Sequence, residues 1–268
     1  MDRVIKVSVG FVTGALILLA ISLYLSNYYL KQHLRSVETE NLQDAQGEVG
    51  LASRLDPFSP TPLVFEAYLA LRRGRTEAAL GDFREAINRD PRNSENWVAL
   101  GDLHRQQLGD PETSAESYQE ALKHNPYSAA AISRLGDALL NARDLEGAKA
   151  QYQRLRERGK ISLKNLYTLG KIQVQLEEPE DAIKIFGEAR EMAGERLEYL
   201  DGTRRAERET FIKSLDLAIA DALVVQSSYD EAREVLSQSK AEQASAVLVL
   251  LNEDPEGYRK SVLDANIV

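Results

Sequence analysis

The chain repeats itself every 34 or 35 residues, and a period of that length leaves few folds open to it. Pro57, Pro91 and Pro126 stand one period apart, and the small residues Ala67, Gly101, Gly136 and Gly170 form a second column. Ala79, Ser114, Ala148 and Ala182 form a third, Phe83, Tyr118, Tyr152 and Phe186 a fourth, and Ala86, Ala121, Leu155 and Ala189 a fifth. Each column has a packing reason. Glycine or alanine at the eighth position of a repeat removes the side chain where a first helix, A, meets a second, B. The small residue at the twentieth position does the same from helix B, and the aromatic four residues later fills the space between repeats. Proline beyond helix B ends it, because it lacks an amide donor and restricts the residue before it.

These columns resemble the tetratricopeptide repeat (TPR), most clearly in Trp97-x-x-Leu100-Gly101 followed by Ser114-x-x-x-Tyr118, Ala121 and Pro126. The resemblance implies an all-α fold, a right-handed solenoid of four to five repeats of paired antiparallel helices. Four repeats read 60–93, 94–128, 129–162 and 163–196, the second with one extra residue between Gly101 and Ser114. Residues 31–59 read as a linker helix and a degenerate half-repeat, with Ala45, Val49, Ala52 and Pro57 at helix-B positions. Residues 197–240 read as an insertion, broken at Asp201-Gly202, and a fifth degenerate repeat marked by Ala220 and Ala232-x-x-x-Leu236. Residues 241–268 read as capping helices, since terminal repeats depart from consensus. The apolar run Val247–Leu251 is assigned to burial against repeat 5, with a docking patch as the alternative.

Ahead of the array, Val7–Leu30 carries no charge. Its length as a helix, about 36 Å, suffices to cross a hydrocarbon core. Tyr24, Tyr28 and Tyr29 gather at its far end, where amphipathic rings favour the lipid–water boundary. Residues 1–30 are therefore expected to be a transmembrane anchor, with residues 7–30 in contact with lipid. A cleaved signal peptide is the alternative, with Ala20-Ile21-Ser22 as its site, but strongly apolar residues continue past that point. Gly10-x-x-x-Gly14 would let a second helix, from a membrane-protein partner, approach closely. Arg3 and Lys6 before the segment balance Lys31 and Arg35 after it, and the α-amino group tips the bias toward a cytoplasmic N-terminus. That orientation puts the repeats outside the cytoplasm.

Chemistry is scarce. The net charge is −9 and basic residues are not clustered, which argues against nucleic acid. Without cysteine, thiol chemistry and zinc–thiolate sites are closed off. His33, His104 and His124 have no partner at metal-ligand spacing, and His104 reads as a core residue. No nucleophile elbow, phosphate loop or metalloprotease motif is present. The chain is expected to be no enzyme and to need no cofactor.

What remains is surface, and here the TPR resemblance carries the reading. In such arrays the A helices line a concave groove through positions 2, 5, 9, 12 and 13. Carried over, these give Thr61, Val64, Tyr68, Leu71 and Arg72 in repeat 1, and Glu95, Val98, Asp102, Arg105 and Gln106 in repeat 2. Repeat 3 gives Ala130, Ser133, Asp137, Leu140 and Asn141, and repeat 4 gives Lys164, Tyr167, Lys171, Val174 and Gln175. Val64, Tyr68, Val98, Asp102, Arg105, Asp137, Lys164, Tyr167 and Lys171 are the candidate contacts for a protein partner. At the positions where chaperone-binding TPR domains grip a carboxylate stand Val64, Tyr68, Ala99, Ala130 and Arg134; only Arg134 fits, which disfavours that role. Finally, Leu55-Asp-Pro-Phe-Ser-Pro-Thr-Pro62 is similar to the segment that opens the TPR region of some bacterial O-antigen ligase and polymerase-like proteins. The similarity spans eight residues and implies a bacterial envelope setting, not ligase activity. Together these readings give a membrane-anchored scaffold that organises an extracytoplasmic complex on a bacterial cytoplasmic membrane. A cytosol-facing receptor for client proteins, or an accessory subunit of a membrane enzyme, are the alternatives.

Overall fold

A computed structural model describes the backbone of residues 2–195, 197–265 and 267, and side chains from Val12 onward. Arg3, Lys6 and Gly10 therefore lie outside the described side chains, and Arg196 outside the described residues. The described residues are helical throughout, with no strand among them, and divide into two compact units, residues 1–126 and 127–268.

Unit 1 holds α1 (Asp2–Glu38), α2 (Leu42–Leu55), α3 (Thr61–Arg72), α4 (Thr76–Arg89), α5 (Ser94–Leu103) and α6 (Pro111–His124). Pro57, Pro91 and Pro126 each stand just past a B helix, α2, α4 and α6. The glycine column is explained by close approach. A Cβ built on Gly101 would lie 2.6 Å from the ring of Tyr118, so only a bare Cα lets the buried aromatic of helix B reach helix A. The extra residue of repeat 2 is absorbed as a π-helical turn, His104–Leu108, at the end of α5. Such a bulge adds one residue without breaking the helix, and the left-handed Gly109 (φ 63°) then closes it. His104 is buried there, as its sequence position suggests. Burial lowers its pKa more than nearby Asp110, at 3.7 Å, raises it.

One element departs from the sequence reading. The half-repeat at Ala45–Ala52 has a complete partner, and that partner is the second half of α1. Ser26, Leu30 and His33 are buried and lie beside Ala45, Val49 and Ala52 in one core. Ser22 Oγ donates to the Leu55 carbonyl at 2.6 Å, Ser26 Oγ to that of Ala52 at 3.0 Å, and His33 Nδ1 to that of Ala45 at 2.8 Å. His33 stands one period before Ala67, and Val49 one period before Phe83. The large and small residues have exchanged helices, which hid the pair from a search for small-then-aromatic columns. From Ser22 onward one face of α1 is covered by α2, while by length and composition the helix from Val12 to Glu38 is apolar enough to cross a membrane.

Unit 2 holds α7 (Ala129–Asn141), α8 (Leu145–Glu157), α9 (Leu163–Gln175), α10 (Pro179–Gly194), α11 (Gly202–Val225), α12 (Tyr229–Gln238), α13 (Ala244–Glu253) and α14 (Pro255–Leu263). The same close approach recurs: a Cβ on Gly136 would sit 2.9 Å from the Tyr152 ring, and on Gly170 2.4 Å from that of Phe186. Side-chain caps mark the starts of α7, α8, α9, α11 and α14, from Ser128, Asp144, Ser162, Asp201 and Asp254. These satisfy amides that the helix itself leaves open. In the run Val247–Leu251, Leu251 is fully buried with Val247 and Leu248 packed on the same core, while Val249 and Leu250 remain half exposed.

Candidate partner-binding surface

The groove positions of the A helices divide by what their own protein already does with them. In unit 1, Val64 is half-buried against the core of α3, α4 and α5. Tyr68 is exposed over 44% of its surface and meets the buried Phe83 edge-on at 5.3 Å. Its inner edge is thus fixed while much of the ring is exposed. Val98 is half-buried. Asp102 accepts a hydrogen bond of 2.7 Å from the Tyr118 hydroxyl, and the Arg105 guanidinium lies 3.8 Å from the same carboxylate. In unit 2, Asp137 accepts in the same way from Tyr152 at 2.6 Å. A tyrosine at position 24 thus comes with an aspartate at position 9 of its repeat. Where position 24 is phenylalanine, as at Phe83 and Phe186, position 9 is Tyr68 or Lys171.

That coupling has an electrostatic reason. A buried phenol needs an acceptor, and the ring has to pass the glycine to bring its hydroxyl to the groove. Burial, then the hydrogen bond to Asp102, pushes the Tyr118 hydroxyl up to about 12, so it stays a donor. Asp102 and Asp137, expected as contacts for a partner, therefore spend an oxygen each on holding their own repeat.

Repeat 4 differs again. Lys164 is exposed, but Tyr167, Lys171, Val174 and Gln175 face the protein's own last helix across a cavity of about 360 Å³. Tyr258, Ser261 and Val262 of α14 line the opposite wall. Tyr258 donates to Asp221 of α11 at 2.7 Å, Arg259 donates to the Val225 carbonyl at 3.2 Å and reaches Glu177 at 2.9 Å, and Gln175 donates to the Ala265 carbonyl. Tyr167 packs on Phe186 and Phe211 at 5.9 and 5.8 Å, with Lys171 Nζ 6.0 Å above its ring. Tyr167 and Lys171, expected from sequence as contacts for a partner, line a wall of the molecule's own C-terminal contact. No local pattern announces this, because α14 lies some 90 residues beyond α9.

Asp221 is the most perturbed carboxyl of this contact: burial, only partly offset by the Tyr258 hydrogen bond and by Lys171, pushes it up to about 6. A carboxyl held above its ordinary value of 3.8 costs the fold nothing in acid and destabilises it as pH rises through about 6. The penalty is at most about 3 kcal/mol, and less where water enters the cavity beside it. Asp221→Asn keeps an acceptor for Tyr258 and has no charge to desolvate. It should leave stability unchanged below pH 4 and raise it at pH 7 to 8 by about 1–3 kcal/mol. Thermal melts of both proteins across that range check this; parallel curves would mean that Asp221 ionises freely.

Of the membrane-helix positions, a Cβ built on Gly14 would meet nothing within 4 Å among the described residues, and Gly10 lies outside the described side chains. Among the described residues no group of histidine or carboxylate side chains could hold a metal.

The period, the paired antiparallel helices and the glycine–aromatic contacts are those of one motif, and a family model named for the tetratricopeptide repeat matches residues 66–129 and 133–194, a second matching 105–160. The chain carries tetratricopeptide repeats. Solved structures show the same TPR fold at low identity. PilF of Pseudomonas aeruginosa matches with a TM-score of 0.61 and 15% identity, over 89% of this chain and 96% of that one. PilW, described as a widely conserved type IV pilus biogenesis factor, matches at 0.55 and 16%, over 89% and 98%. YrrB, described as a TPR protein with an unusual peptide-binding site, matches at 0.52 and 19%, over 63% and 87%. No curated protein sequence is similar to this TPR chain. The similarity of Leu55–Pro62 to ligase-like proteins finds no counterpart in these comparisons, and the segment forms the turn between α2 and α3.

Proposed function

We propose that this protein is a membrane-anchored TPR scaffold that captures a protein partner on its A-helix face and organises an extracytoplasmic complex at a bacterial cytoplasmic membrane. One observation carries the reading. Helix α1 runs without a break from a bare apolar stretch, Val12–Ile21, into the core of the first helix pair. A helix that exposes Leu16, Ile17, Leu18 and Leu19 over more than half of their surface needs a non-aqueous surround, and its continuation ties the first helix pair to that surround. The eight-residue similarity at Leu55–Pro62 and the fold shared with a pilus biogenesis factor support the envelope setting; the fold shared with a peptide-binding TPR protein supports partner capture.

Partner contact is expected to centre on repeats 1 and 2, where Tyr68 presents an aromatic face and Arg105 a guanidinium. Aromatic and arginine side chains carry most interface energy, with truncation costing about 2 kcal/mol or more. Tyr68→Ala should weaken capture of the partner from native membranes by about thirtyfold. Tyr167→Ala is expected to act differently, by loosening α14. For topology, a reporter active only outside the cytoplasm should be active when fused after Val268, and carbonate-washed membranes should retain a chain of intact mass. A reporter active only in the cytoplasm would turn the reading to a cytosol-facing receptor. A chain lacking its first twenty or so residues would show a cleaved signal sequence. If Tyr68→Ala captures normally while changes at Gly10 and Gly14 abolish capture, the membrane helix is the working surface and the accessory-subunit reading stands.

A further inference from the structure

The covered half of α1 fixes where a bilayer surface has to lie. Helix α2 descends along α1 until the Leu55 carbonyl meets Ser22, so lipid can surround α1 only up to about Ser22. The uncharged stretch below that level, Val7–Ile21, would span about 22 Å as a helix, which is short of a hydrocarbon core of about 30 Å. A short span draws the bilayer toward whatever flanks it, and what flanks it here is the turn between α2 and α3.

That turn is built for such a place. Phe58 at its tip is exposed over 87% of its surface, more than any other large hydrophobic side chain among the described residues. Tyr24 (71%) and Tyr28 (47%) stand exposed on α1 beside the level of Ser22 and Ser26. At the end of α2 the Ala52 carbonyl accepts from the Asp56 amide and from Ser26, and the Leu55 carbonyl accepts from Ser22. Arg89 Nη1 does the same for the turn itself, donating to Pro57 at 2.7 Å and Ser59 at 3.2 Å. Backbone acceptors satisfied from within are what a segment needs at low dielectric, and an exposed aromatic ring is what the boundary between headgroups and chains favours.

We propose that the α2–α3 turn, Leu55–Pro60, rests in the headgroup region of the bilayer crossed by α1, with Phe58 set into the boundary with the acyl chains. This rests on the reading of α1 as an anchor. The first repeat is then held to the membrane at two points, the helix and the turn, and cannot pivot about α1. The test uses the full-length protein in phosphatidylcholine–phosphatidylglycerol vesicles. Trp97 is the sole tryptophan; with Trp97→Phe as background, Phe58→Trp supplies a reporter at the turn and Leu108→Trp one at an exposed site of unit 1, past the opposite end of an A helix. Lipids brominated near the headgroup end of the chain should quench the residue-58 reporter strongly and shift its emission to the blue, lipids brominated near the chain end should quench it less, and neither should affect the residue-108 reporter. Vesicle flotation separates the two layers of the argument. Protein that floats with vesicles while both reporters stay equally unquenched overturns the placement of the turn alone. Protein that fails to float overturns the anchor, and the proposal with it.

Discussion

Leucine at Gly170 should cost unit 2 about 3 kcal/mol or more, at the upper end of what overpacking does. Even a Cβ there lies 2.4 Å from Cε1 of Phe186, whose ring is fully buried. The ring is rigid and fully buried, so it must shift toward the cavity it lines or α9 and α10 must separate. At roughly 2–4 °C per kcal/mol for a domain of this size, melting falls by about 6–12 °C. Two neighbours sharpen the test. Gly187 follows Phe186 on the same helix but has nothing within 4 Å of a built Cβ, so Gly187→Ala should be neutral or stabilise by up to about 1 kcal/mol. Pairing Gly170→Ala with Phe186→Leu should cost less than the two single changes summed, because each relieves the other. Unchanged melting of Gly170→Leu would mean that the repeats are in another register.

Removal of α1 should unmake α2 while leaving the later helices folded. A chain beginning at Ser22 keeps the serines and His33 that meet α2; one beginning at Asn41 lacks them and bares Ala45, Val49 and Ala52, each almost fully buried in the intact protein. Repeat arrays melt from an end whose neighbour is missing, and backbone acceptors lose partners at the same time. Amides of Leu42–Leu55 are expected to exchange with solvent about a hundredfold faster in the shorter chain, corresponding to about 2.7 kcal/mol of local stability. The longer chain should match the intact protein. Equal protection in both would show that α1 merely lies against α2 without supporting it.

How far the residues alone reached varies by element, and the physics says why. Glycine opposite aromatic is a contact within one repeat, where the columns alone suggested that the ring lies between repeats, and proline stops helix B at the same point of each period. They recur with the period, so repeats 1 to 4 could be aligned before any fold was known. The aspartate–tyrosine coupling of Asp102 with Tyr118 and Asp137 with Tyr152 was equally present in the columns, but it shows only when positions 9 and 24 are compared with each other. The first helix pair was missed because His33 and Val49 invert the size rule, and because an uncharged stretch ending in tyrosines reads as one membrane segment to its end.

The sequence by itself determined the repeat, the helix pairs, the glycine contacts and an N-terminal helix apolar enough to leave water, since each depends on neighbours within about one period. Only the tertiary structure decided where that helix stops being bare, because the answer lies in α2, which satisfies serines that would otherwise pass as ordinary membrane-helix residues. It alone decided that Tyr167 and Lys171 face α14 beside a half-buried Asp221, since that contact joins residues some 90 positions apart. Periodicity records what a residue does for its own repeat; it carries no trace of a distant segment that uses the same face.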